Sequence, residues 1–124
     1  MPRITHVELN SEIPESLGTF YSKVFGWIFQ KKQTGAENYW FLFSGFSASE
    51  AGINAGIKPR AGTKLQWVPT IHVDSVDEAL KKITAHGGKI THPKRPVTST
   101  GFLAYCEDPE GNLFGILEKD STVE

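Results

Sequence analysis

Polar and apolar side chains alternate over residues 4–10 (ITHVELN), the two-residue period of a half-buried strand. The pattern then changes. Ile13, Leu17, Phe20, Tyr21 and Val24 recur at helical spacing, predicting a helix over 14–25. Pro14 suits its first turn and Gly26 its left-handed stop. Short apolar runs near 27–31, 39–43 and 52–57 predict three more strands. A second series follows, with a strand near 68–73, a helix near 76–86 closed by Gly87 and Gly88, and strands near 89–91, 102–106 and 113–118. Asp108 to Gly111 (DPEG) is strong turn chemistry between the last two, since Pro109 presets φ and Gly111 tolerates a positive one.

The two series are copies in outline. The stretch beginning at Ser11 and the one beginning at Val73 correspond at an offset of 62 residues, half of the 124-residue chain, and the order of elements agrees. The expectation is one domain, 1–124, made of module one (1–57), a linker (58–66, KPRAGTKLQ) and module two (67–124). Each module reads β-α-β-β-β. Helices on one face of a mostly antiparallel, curved sheet place the chain in the α+β class, and the sheet's concave cup needs an occupant or a cover.

Composition narrows the function. Formal net charge is -1, and the 13 lysines and arginines are scattered in ones and twos, so nucleic acid is not an expected partner. A single cysteine, Cys106, excludes an internal disulfide and a cysteine zinc cluster, and its apolar surroundings read as a buried small hydrophobe. No stretch reads as a signal peptide or a membrane span, so no membrane partner is expected and the expected location is cytoplasmic.

Five stretches, ITHVELN, FYSKVFGW, HVDSVDEALKKITAHGGKI, GFLAYCEDPEGN and FGILE, cover most of the chain in a fixed order. In them the chain resembles the vicinal oxygen chelate superfamily, the glyoxalase, bleomycin-resistance and extradiol-dioxygenase group, and most of all its small glyoxalase-like members. The resemblance implies paired βαβββ modules around a cup, and a homodimer. In the metal-dependent members it implies one divalent ion held by His, Gln or Glu from the first and last strand of each module. Those positions fall here on His6, Val68, Gly115 and, in GINAGI, Asn54. Two of the four carry no donor, so no metal cofactor is expected.

Gly115 is thus a glycine inside a strand, where it supplies no packing; the resemblance gives it a use, as room in the cup. Alternation places His6, Glu8 and Asn10 on one strand face, opposite Thr5, Val7 and Leu9, and sets Val68, Thr70 and His72 together in module two. Gly52, Asn54 and Gly56 share a further face. These ten residues, His6, Glu8, Asn10, Gly52, Asn54, Gly56, Val68, Thr70, His72 and Gly115, form the expected ligand cavity. Trp40, Phe41 and Phe43, with Phe102 and Tyr105, are core residues of which one alternating face lines an apolar pocket. His86 and His92 read as structural or exposed, and the loop PKRPVTSTG (93–101) as a surface loop or a lid. The leading expectation is a protein that binds a small apolar or aromatic molecule over a degenerate metal site. The alternatives are a metal-dependent lyase, isomerase or dioxygenase using a shifted set, His6, Glu8 and His72, and an accessory module with no chemistry of its own.

Overall fold

The computed structural model describes residues 1–33, 38–47, 49–59 and 64–124. They contain β1 (Arg3–Ser11), α1 (Pro14–Phe25), β2 (Ile28–Lys31), β3 (Trp40–Phe43), β4 (Asn54–Pro59), β5 (Trp67–His72), α2 (Val76–Ala85), β6 (Lys89–Val97), β7 (Gly101–Glu107) and β8 (Leu113–Lys119). The α+β class and the repeated β-α-β-β-β order are as the hydrophobic pattern predicts. Contacts divide the chain into an N-terminal unit, His6–Val68, and a C-terminal unit, Pro69–Glu124 together with Met1–Thr5. Residues 60–63 of the expected linker lie outside the described residues.

In the N-terminal unit the strands run in the order β2-β3-β4-β1. The β2–β3 and β3–β4 pairs are antiparallel, and β4 lies parallel to β1. Leu9, Trp40, Leu42, Ala55 and Ile57 form the core, with Val7, Leu17, Tyr21, Trp27 and Phe29 packed against it. Gly26 closes α1 in the left-handed conformation, and its N–H reaches the Ser22 carbonyl at 2.8 Å. The helix meets the sheet through a narrower stripe than its apolar spacing predicts. Leu17 and Tyr21 face the core, but Ile13, Phe20 and Val24 are more than half exposed. The reason is a close approach at Gly18, where an added Cβ would overlap the Phe29 ring. That contact fixes which side of α1 the sheet covers.

The C-terminal unit repeats the plan in the order β5-β8-β7-β6, with β5 and β8 parallel and the other neighbours antiparallel. Val76, Ala104 and Ile116 form its core, covered by Ile71, Val73, Leu80, Ile83 and Phe102 among others. Ser75 caps α2 by accepting the Glu78 N–H at 3.1 Å, and the Glu118 carboxylate accepts the Val76 N–H at 3.0 Å. Cys106, in β7, is buried, and burial pushes its thiol pKa up.

Two expectations about elements need correcting. The strand predicted over 89–91 extends to Val97, so most of the expected 93–101 loop is strand. Pro93 and Pro96 are tolerated because β6 is the edge of its unit's sheet, where a missing N–H removes no ladder bond, and the register shifts on both sides of His92 absorb the irregularity. The strand predicted over 52–57 instead spans Asn54–Pro59, so it takes in the first two residues of the expected linker. Gly52 lies before it at φ 118°, a conformation that favours glycine.

Candidate functional site

Each sheet has one face against its helix and one face away from it, and the predicted site residues sort accordingly. In the N-terminal unit Val7 and Leu9 enter the helix-packed core, which leaves His6, Glu8 and Asn10 on the opposite face. The β1–β4 register sets His6 beside Asn54 and Glu8 beside Gly56, and β3 places Phe41 beside Gly56 on its other side. Trp40 and Leu42 are core; Phe41 and Phe43 belong to the opposite face with Tyr39.

Three aromatic rings therefore form a row. Tyr39 and Phe41 meet edge to face with centroids 5.6 Å apart, and Phe41 stacks on Phe43 at 5.6 Å. All three are half-buried. At the end of the row the Tyr39 hydroxyl is hydrogen-bonded to His6 Nε2 at 2.7 Å. Gly56 makes this possible, because a Cβ there would overlap the Tyr39 hydroxyl and its ring carbon Cζ. The space beside Gly56 is thus filled by Tyr39. Glu8, in the same strand face as His6, is only 8% exposed.

The remaining polar positions have structural work. The Asn54 side-chain oxygen accepts the Ser44 N–H at 3.0 Å, and the Ser44 hydroxyl donates to the Ile53 carbonyl, which ties the end of β3 to the start of β4. Asn10 donates through its side chain to the Lys64 carbonyl at 3.3 Å and through its backbone N–H to Gln66 at 3.1 Å. It anchors the chain entering β5.

In the C-terminal unit Thr70 lies beside Gly115 across the parallel pair, and Tyr105 beside Gly115 across the antiparallel one. A Cβ at Gly115 would sit 3.4 Å from Tyr105 Cε1 and 3.6 Å from Thr70 Oγ1, an ordinary contact. Tyr105 is buried, and the His92 ring meets it edge-on at 5.5 Å, so His92 belongs to β6 packing. Under the 62-residue correspondence Glu8 matches Thr70; since Gly56 neighbours the one and Gly115 the other, Gly56 is the counterpart of Gly115. Asn54, the expected counterpart, lies two residues away from that position. Tyr39, outside the ten expected cavity residues, keeps the two-residue spacing of Phe41 and Phe43, which is the sequence signal for its place on their face.

His72 lines a cleft of about 220 Å³ with Asp74, Leu117, Lys119, Met1 and Pro2. Burial, and then the positive charge of Lys119, lower its pKa below the ordinary histidine value. The unfolded chain therefore takes up this proton first as pH falls. Stability tied to neutral His72 is full above the ordinary histidine pKa and is lost as pH drops through the lowered folded value. Lys119→Met is expected to raise the His72 pKa, read from its imidazole NMR shifts; an unchanged value would remove Lys119 as a cause.

His6 and Glu8 lie in one unit and His72 in the other. Among the described residues no three His, Cys, Asp or Glu side chains are grouped to hold a metal ion. No helix among them is long and apolar enough to cross a membrane.

Comparison with known proteins gives the chain its relatives. It is 27% identical over 113 residues to a Mycobacterium bovis protein named as a glyoxylase, covering 90% of this chain and 42% of that protein. It is 26% identical over 113 residues to a lactoylglutathione lyase of Arabidopsis thaliana, covering 85% of this chain and 40% of that one. The chain thus spans about two fifths of the length of these relatives. In fold it matches a hypothetical protein of Bacillus halodurans, with a TM-score of 0.68, 13% identity, and 99% and 98% of the two chains covered. It also matches methylmalonyl-CoA epimerase of Mycobacterium tuberculosis, with a TM-score of 0.68, 12% identity, and 94% and 87% covered. The family model for the Glyoxalase/Bleomycin resistance protein/Dioxygenase superfamily matches residues 3–116, so the chain belongs to that superfamily.

Proposed function

We propose that this glyoxalase-like protein binds a small aromatic or apolar molecule on the face of its N-terminal sheet that carries the row Tyr39, Phe41 and Phe43. That row is the observation that carries the reading. Half-buried rings beside a few fixed polar groups (His6, Tyr39 and Glu8) are the usual make-up of a small-molecule site. The proposal places the protein in the cytoplasm and includes no resident metal. Val68, Gly56 and Gly115 have no donor atom in their side chains, the Asn54 oxygen holds a backbone N–H, and His6 Nε2 holds the Tyr39 hydroxyl. This donor set does not fit a metal centre built from histidine and carboxylate. It extends to the homodimer as well, favoured by Phe20, Phe25 and Trp67, large apolar side chains that are more than half exposed.

The test is equilibrium dialysis against 2-naphthol. Saturable binding is expected, weakened about tenfold by Phe41→Ala, which removes one ring contact worth about 1.4 kcal/mol. Equal affinity in a folded variant would overturn the reading. Protein purified without chelators is expected to hold less than one equivalent of zinc, nickel, iron or manganese, and EDTA should leave its melting temperature unchanged. Full occupancy surviving dialysis would sink the metal-free part.

A further inference from the structure

Tyr39 is the polar end of an otherwise apolar row, and three separate features of the chain fix it there. Its hydroxyl is 2.7 Å from His6 Nε2. The His6 and Tyr39 rings are nearly parallel, with an interplanar angle of 29° and centroids 6.4 Å apart. Its ring end occupies the space over Gly56 that any side chain at that position would fill. The hydrogen bond orients the hydroxyl, and the room left by Gly56 lets the end of the ring reach it.

We propose that Tyr39 is the specificity-determining residue of this face, selecting aromatic molecules that carry a hydrogen-bonding oxygen on the ring edge over wholly apolar ones. This rests on the proposed function of the Phe41 and Phe43 surface. A phenol hydroxyl has one donor and two acceptor positions, and the imidazole orients it whichever tautomer His6 adopts. The stacked rings hold the flat face of the ligand, and the hydroxyl meets a polar atom on its rim. Preference arises because an apolar rim placed against the hydroxyl forms no hydrogen bond with it, whereas an oxygen on the rim does. Gly56 is then part of the recognition device through the volume it concedes.

The experiment compares 2-naphthol with 2-methylnaphthalene, close in shape and differing at the rim in hydroxyl against methyl. The wild-type protein is expected to prefer 2-naphthol about tenfold, the scale of one hydrogen bond. Tyr39→Phe should abolish the preference, the affinity for 2-naphthol falling to that for 2-methylnaphthalene. Gly56→Ala, which displaces the Tyr39 ring and leaves its chemistry intact, should also abolish it. Equal wild-type affinities, or a preference that survives in folded Tyr39→Phe, would overturn the assignment to Tyr39 and leave the aromatic surface standing. Failure of the wild-type protein to bind either molecule would instead overturn the binding reading, and this proposal with it.

Discussion

Leu42→Ala is expected to destabilise the protein by about 2–5 kcal/mol, the cost of a large cavity in a closed core. Leu42 has no exposed surface and packs with Leu9, Trp40, Ala55 and Ile57. Its register partners are Phe29 on one side and Ala55 on the other, so the neighbouring backbones are held by ladders and have little freedom to collapse into the void. Two probes report separately on the units. Trp27, Trp40 and Trp67 lie in the N-terminal unit, and the Cys106 thiol lies in the other. The single-domain expectation is that tryptophan fluorescence and thiol accessibility change at the same denaturant concentration, and that Leu42→Ala moves both midpoints together. If the tryptophan signal alone moved, the two units would be independent folding domains.

The second large effect is expected at Gly101. Its φ is 145°, a conformation closed to ordinary side chains, and an added Cβ would overlap the Glu118 carbonyl oxygen with Asp120 N at 2.8 Å. Gly101→Ala faces two costs, about 1–3 kcal/mol for the backbone conformation and about 1–3 kcal/mol for the collision. Both fall on the β7–β8 pair, where Gly101 opposes Lys119. Gly115 lies in the same pair and should behave oppositely. Its φ is not positive, and its Cβ would make ordinary contact with Tyr105 and Thr70. Gly115→Ala should leave stability unchanged or raise it by about 0.4–1 kcal/mol, through lost freedom of the unfolded chain. Urea midpoints of the two variants give the comparison; equal losses would show that the Gly115 environment is as closed as that of Gly101.

What could be read in the sequence follows the range of the interactions involved. Both ends of α1 were legible because Pro14 and Gly26 act within one turn of themselves. The strand faces were legible because alternation is a property of adjacent residues, and Val7 and Leu9 do enter the core as their period requires. The exposed side of α1 was not legible, since the Gly18–Phe29 approach that selects the buried side joins residues on different elements. Nor was β6, whose two prolines read as loop until its place at the sheet edge is known. For the candidate site, His6 and Glu8 could be named from their strand alone. The choice of Gly56 over Asn54 as the counterpart of Gly115 required the β1–β4 and β5–β8 registers. The Tyr39–His6 bond spans 33 positions, beyond the reach of any local pattern.

In both units the first strand is paired in parallel with the last, His6 with Asn54 and Thr70 with Gly115. Each such pair joins residues about 45–50 positions apart, so its loop-closure entropy must be met before the pairing returns any stability. During synthesis, β1 and β5 emerge long before their parallel partners exist. The hairpins β2–β3 and β6–β7 are the local pieces that can form early, and each sheet is completed when its own last strand arrives. The seven residues of β8, Leu113–Lys119, are therefore a folding latch: a chain that stops before Leu113 leaves β5 without that partner and the Ile116 core position empty.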